Sequence, residues 1–209
     1  MTKLIKYSLT YLSLILFVSF TNSEEDDFKL GRDYILVNDP LPIKKDGVVE
    51  VTETFWYGCR ACYQFDPVVN NWSSKQGDDI KFSKVPVTWG PVHQLHASLF
   101  YTIEALGLNA AHSAVFVTIH KEGNFLSNPK NIQNFLSGFG IPPEISSQYL
   151  NSFTVKQKVN RAMKHGRQLK VSSTPVMIVD GKYVISPSGS YERILKVVDH
   201  VVELQRPNS

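Results

Sequence analysis

Two cysteines three positions apart, set between a β-branched run and a helical run, constrain this 209-residue chain more than any other feature. Cys59 and Cys62 are its only cysteines. Upstream, Val48-Val49-Glu50-Val51-Thr52-Glu53-Thr54-Phe55-Trp56 has the β-branched and aromatic character of a strand. Downstream, Cys62 to Trp72 suits a helix with Tyr63, Phe65 and Val69 among its apolar positions. Pro67 inside it predicts a kink, because proline removes one backbone donor. A sulfur at a helix N-terminus meets unpaired backbone N–H groups and the positive end of the macrodipole, both of which favour an anion. A disulfide closing so short a loop restricts the unfolded chain little. Reactivity therefore explains the pair better than structural stapling does.

The elements that follow define a fold class. Ile80 to Trp89 alternates Ile80, Phe82, Val85 and Val87 with polar residues, imperfectly, and ends at Gly90-Pro91. It reads as a second strand, parallel to the first and joined to it by the Cys62 helix. Leu95, Leu99, Ile103 and Leu106 then recur at helical spacing before Gly107, and further helices are expected over 110–121, 129–139, 143–151 and 154–169. Strand character returns at Val176–Val179, Asp180-Gly181 signals a hairpin into Lys182–Ile185, and a last helix is expected from about Ser190 to Leu204. Asp33 to Lys45, with Pro40 and Pro42, is expected to wrap the surface. The order is that of an α/β thioredoxin fold with a helical subdomain inserted at about 91–169.

A hydrophobic fraction of 43 % with 11 % aromatics supplies a buried core and excludes a disordered chain. Residues 1–23 read as a secretory signal: Lys3 and Lys6 precede the apolar run Leu9–Phe20, and Thr21-Asn22-Ser23 offers small residues for cleavage. The same run also fits an uncleaved N-terminal anchor. On either reading the globular part, 24–209, is exported, beginning with the acidic Glu24-Glu25-Asp26-Asp27. From Glu24 onward there are 20 basic and 19 acidic side chains, a balance that argues against a nucleic-acid surface.

Several residues near the cysteines carry candidate chemistry. Zinc sites use the same C-x-x-C spacing but need two further ligands. With no third cysteine, and only His93 and His96 as a spaced pair, no metal site is expected. Ser173-Thr174-Pro175-Val176 places a proline at the head of a strand, where a cis bond would bring a backbone edge to the sulfurs and pair with an extended substrate. An ordinary trans proline is the alternative. Glu53 shares its strand face with Val51 and Phe55, so it is expected to be buried with a raised pKa and able to carry protons to and from Cys62. Arg60 adds positive charge beside Cys59. Phe55, Trp56, Tyr57 and Trp89 are core or groove aromatics, and His112, His120, His165 and His200 are expected to be structural or exposed.

Cys59-Arg60-Ala61-Cys62-Tyr63-Gln64-Phe65 resembles the C-x-x-C-Y-Q-F active site of the DsbA family of periplasmic disulfide-forming proteins. Glu53, Asp66 and Lys84 match the family's buried charges. Asn151-Ser152-Phe153-Thr154-Val155-Lys156 and the segment from Thr174-Pro175 to Lys182-Tyr183 resemble its later helical and cis-proline regions. The resemblance covers nearly all of the mature chain. It implies a periplasmic thiol:disulfide oxidoreductase that introduces disulfides into exported proteins without a cofactor. Cys59, Cys62 and Glu53 would be catalytic, Arg60, Ala61, Asp66 and Lys84 would tune the site, and Thr174 and Pro175 would bind substrate. The implied partners are unfolded exported proteins with free cysteines and a DsbB-like, quinone-linked membrane oxidase.

Two departures bear on direction. The family's usual Pro-His between the cysteines is Arg60-Ala61 here, so a histidine that stabilises the thiolate is missing. Each kcal/mol of thiolate stabilisation lost makes the disulfide roughly 20 mV less oxidising. The residue before the proline is Thr174, where valine is common. A periplasmic reductase or isomerase, and a redox-inert peptide-binding module, are the alternative readings.

Overall fold

The computed structural model describes residues 27–43 and 47–206. The expected signal segment, 1–23, lies outside the described residues. A five-stranded mixed sheet forms the body: β1 (Ile35–Leu36), β2 (Val49–Phe55), β3 (Ile80–Pro86), β4 (Val176–Val179) and β5 (Tyr183–Ile185), in the order β1-β5-β4-β2-β3. Helix α1 (Arg60–Ser73) makes the crossover that lets β2 and β3 pair in parallel over seven residue pairs, from Val49 with Ile80 to Phe55 with Pro86. On its other side β2 pairs antiparallel with β4, placing Glu53 opposite Met177 and Thr54 opposite Val176. β2 is therefore interior, with both backbone edges paired, and the cysteines leave directly from its C-terminal end.

Alternation along β2 decides which side chains face which layer. Val49, Val51, Glu53 and Phe55 point to one face, and all four are buried. Val49 and Val51 join Phe65, Val69 and Trp72 of α1 and Ile194, Val198 and Val201 of the C-terminal helix α7 (Tyr191–Gln205) in one cluster. Trp72 also donates its indole N–H to Asp199 of α7 at 2.8 Å. Glu53 is the one charged group in this apolar row.

The stretch between the sheet halves folds as helices α2 (Pro91–Ala105), α3 (Asn109–His120), α4 (Pro129–Ser137), α5 (Pro143–Leu150) and α6 (Phe153–Gln168). These match the expected segments within two residues. Their core, including Leu99, Val115, Phe116, Leu126, Ile132 and Leu136, continues into Phe55, Tyr57 and Cys62. The helical subdomain thus packs on the end of β2 and the start of α1, where the sulfurs are.

Three local features differ from or refine the sequence reading. Within the segment expected to wrap the surface, Ile35 and Leu36 add an edge strand antiparallel to β5. With two residues, both half-exposed, it has no periodicity to detect. At the β4–β5 turn, Asp180 and Gly181 both have positive φ (51° and 55°) and the Lys182 N–H closes onto the Val179 carbonyl. A Cβ on Gly181 would lie 2.6 Å from Leu41, so glycine is required there for space as well as conformation. Helix α1 continues through Pro67.

Leu136 is fully buried in the subdomain core. Leu136→Ala is expected to cost about 2–5 kcal/mol, measured as a shift in denaturant midpoint at unchanged slope.

Candidate active site

Cys59 is the N-cap residue of α1: its backbone is extended (φ −84°, ψ 117°) and its Sγ accepts the Cys62 N–H at 3.3 Å. A cap normally uses a hydroxyl or carboxylate oxygen; here sulfur takes that role. No acidic side chain occupies the first turn to oppose negative charge. Just before the cap, the Trp56 ring folds over Gly58, where any Cβ would sit 2.5 Å from it. Gly58 is therefore what lets the chain pass under an indole and present Cys59.

The two sulfurs have unlike surroundings. Cys59 is partly exposed and Cys62 is completely buried. Hydrogen bonding from the Cys62 thiol lowers the Cys59 pKa most; burial opposes it, and the Thr174 side chain and the backbone N–H groups of Cys62 and Ala61 add to the lowering, to about 5. Burial pushes the Cys62 thiol far above its ordinary range, and the neighbouring Cys59 sulfur pushes it further. One thiol is held as an anion at neutral pH and the other as a neutral donor. The Arg60 side chain is exposed, and what lowers the Cys59 pKa is hydrogen bonding, chiefly from Cys62.

The Thr174-Pro175 bond is cis, as the resemblance implies, and the Thr174 carbonyl oxygen lies 3.5 Å from the Cys59 sulfur. This loop leads straight into β4, whose pairing with β2 fixes it beside the head of α1.

Behind the sulfurs lies a buried charge cluster. Lys84 of β3 places Nζ 2.5 Å from Glu53 Oε2 and 3.0 Å from Asp66 Oδ1. Glu53 is raised above the usual carboxylate range by burial, with Lys84 opposing; the Asp66 charge and the Cys59 thiolate raise it further. Burial also pushes Asp66 upward, but His112 and Lys84 outweigh it and hold that carboxyl well below the usual range. Such a cluster is a poor source of stability, since desolvating its charges offsets much of their attraction. Its position behind the sulfurs suggests a chemical use.

A family model described as DSBA-like thioredoxin domain matches residues 70–199, more than half of the chain. The chain is 38 % identical over 183 residues to the thiol:disulfide interchange protein DsbA of Azotobacter vinelandii, covering 86 % of each. Against the protein of the same name from Pseudomonas aeruginosa it is 36 % identical over 187 residues, covering 88 % of this chain and 89 % of the relative. The chain belongs to the DsbA family of thiol:disulfide oxidoreductases. The crystal structure of Pseudomonas aeruginosa DsbA superimposes with a TM-score of 0.82 at 36 % identity, covering 87 % of this chain and 96 % of that one. DsbA from Xylella fastidiosa gives 0.81 at 27 % identity, covering 86 % and 98 %. The matched span of the family model begins after both cysteines, so the reading of the sulfurs in this DsbA relative rests on their own geometry.

The structure brings Cys59, Cys62, Arg60, Ala61, Thr174 and Pro175 together at one end of the sheet, with Glu53, Asp66 and Lys84 behind them. It adds His112 and His120, expected from sequence to be structural or exposed, and Ser113, which the sequence did not single out. His112 of α3 lies with Nε2 3.1 Å from Asp66 Oδ1 and Nδ1 2.9 Å from the Tyr57 hydroxyl, and Ser113 donates to Asp66 Oδ2 at 3.1 Å. His120 stacks on Tyr63 at 5.0 Å and bonds the Tyr57 carbonyl at 2.8 Å. The available signal was the i, i+4, i+8 row His112, Phe116, His120 along one helix face. His93 and His96 hold no metal-type arrangement: no group of three or more potential ligands occurs among the described residues. His96 is buried, taking the Trp56 indole N–H on Nδ1 at 3.1 Å and placing Nε2 3.0 Å from the Phe125 carbonyl.

Titration of the reduced protein by thiolate ultraviolet absorbance is expected to show one midpoint near pH 5, absent in Cys59→Ser. Because folding lowers this acid's pKa from an ordinary 9.0, the stabilisation it gives is complete above that value and is lost as pH falls through about 5. The unfolding free energy of the dithiol form should therefore rise with pH across this window, relative to Cys59→Ser.

Proposed function

We propose that this chain oxidises thiols of exported proteins in the periplasm, after export directed by residues 1–23, with residues 24–209 as the working unit. The observation that carries the reading is the inequality of the two sulfurs: a partly exposed, hydrogen-bonded Cys59 with a low pKa beside a buried Cys62 with a high one. In the disulfide state Cys59 Sγ is the only one of the pair a substrate thiolate reaches. Attack there forms a substrate–Cys59 bond, breaks the Cys59–Cys62 bond, and expels Cys62 as a thiolate that needs a proton. Glu53 is the proton donor. The substrate's second thiolate then attacks its own sulfur in the mixed disulfide and expels Cys59 as a stabilised thiolate. Two electrons pass from substrate to enzyme, and Cys62 acts as nucleophile only in the reverse direction.

This assigns release of the oxidised product to the substrate, with Cys59 as leaving group. It also explains the direction: the hydrogen bonds at Cys59 favour the dithiol form, which makes the disulfide a better oxidant. Thr174 and Pro175 hold the substrate, the Thr174 backbone pairing with an extended peptide beside the sulfur. Arg60 and Ala61 tune the thiolate through position in the first turn. Reoxidation needs an electron acceptor, for which a DsbB-like, quinone-linked membrane oxidase is the partner.

Cys59→Ser is expected to abolish oxidation of a dithiol peptide, whereas Cys62→Ser should accumulate a mixed disulfide with it, visible by mass spectrometry. Equal rates for wild type and Cys59→Ser would remove the mechanism and leave a redox-inert peptide-binding module.

A further inference from the structure

The proposed mechanism uses Glu53 as proton donor but leaves open why the proton resides there and not on Asp66. The two carboxylates share one cation, Lys84, so the pair together favours keeping a proton. Which carboxyl holds it is decided by the remaining hydrogen bonds, since donors to a carboxylate favour its charged form. Asp66 receives three: Lys84 and His112 on Oδ1 and Ser113 on Oδ2. Among the described residues Glu53 receives a hydrogen bond from Lys84 alone, and its side chain is 1 % exposed, so water does not replace the missing donors.

With Asp66 ionised, one tautomer of His112 satisfies both neighbours. An ionised Asp66 is an acceptor, so Nε2 carries the hydrogen toward it. That leaves Nδ1 as acceptor for the Tyr57 hydroxyl, whose proton burial holds in place. In that tautomer Tyr57 serves one ring nitrogen and the other donates to Asp66. Phe55, Phe100 and Phe116 meet the imidazole edge-on, and burial lowers its pKa, which favours the neutral ring. The titratable or charged groups facing this arrangement are Glu53 and Tyr57 from β2 and its extension, Cys59 at the head of α1, Asp66 from α1, Lys84 from β3 and, through Tyr57, His96 from α2.

We propose that His112, contributed by the inserted helical subdomain, is a positioning residue that keeps Asp66 ionised and so confines the shared proton to Glu53. This deepens the oxidase reading, on which it rests. It gives the insertion a chemical role: α3 supplies two of Asp66's three donors. The effect on the reaction is indirect, because His112 touches neither sulfur nor substrate.

The test compares two amides at position 112 in the full mature chain, reduced, by ¹³C-carboxyl NMR titration with Glu53→Gln and Asp66→Asn assigning the signals. His112→Gln reaches the Nε2 position and keeps the donor to Asp66; His112→Asn stops short of it. Wild type and His112→Gln are expected to protonate Glu53 ahead of Asp66. In His112→Asn the Asp66 midpoint should rise by about 1–2 pH units, and that of Glu53 should fall. The basic limb of the rate of substrate attack on the disulfide should then move to lower pH, because the donor loses its proton sooner. Unchanged midpoints in His112→Asn, or a wild-type protein with the proton on Asp66, would overturn the proposal. Should neither amide fold, His112→Phe keeps an aromatic ring in the packing and removes the donor to Asp66 Oδ1, so it is expected to raise Asp66 in the same sense, and an unmoved midpoint there would also overturn the proposal. Failure of the oxidase reading is distinct: wild type and Cys59→Ser would exchange alike while the carboxyl titrations stayed divided as described.

Discussion

The capping of α1 by a sulfur is the interaction on which the rest depends. A helix N-terminus presents backbone N–H groups that must find an acceptor. When the cap is Cys59, the acceptor is ionisable, and the same hydrogen bonds that complete the helix favour the thiolate. Helix initiation and nucleophile activation are one set of contacts. Every other feature of the site either holds that cap in place or deals with the proton that its partner Cys62 gains and loses.

The fold divides those tasks between its layers. Pairing of β2 with β3 and β4 fixes the end of β2, from which the cysteines emerge, and brings Lys84 and the Thr174-Pro175 loop to either side of it. Helix α1 carries both sulfurs at its head and Asp66 one turn further on. The inserted helices close over Cys62 and Tyr57 with an aromatic core, which accounts for the burial that drives the two thiols apart. They also reach the buried carboxylates through α3. The insertion is therefore part of the redox centre's environment and more than a lid beside it.

Much of this was legible in the sequence because its signals are local. The β-branched run ending at Phe55, the C-x-x-C at a helix start and the Asp180-Gly181 turn each predict their own geometry, and period-2 alternation alone placed Glu53 with Val51 and Phe55 on a buried face. The edge strand Ile35–Leu36 was not legible, being too short for any pattern and formed only by pairing with β5, some 150 residues away. His112 and Ser113 were missed for a related reason. Their partner Asp66 lies 46 and 47 residues away, and nothing within α3 marks a polar pair as facing a buried carboxylate. The loss of the Pro-His pair between the cysteines was visible, but its consequence was not. In the folded chain Cys62, Thr174 and the Ala61 N–H stabilise the Cys59 sulfur without a histidine.

The reduction potential of the Cys59–Cys62 pair, obtained by equilibration with glutathione, measures this stabilisation as a free energy. A thiolate favoured in the reduced protein should give a potential well above the roughly −270 mV typical of a cytosolic reductant of the thioredoxin type. A value at or below that level would mean that the capped sulfur does not favour the dithiol form, and would contradict the account.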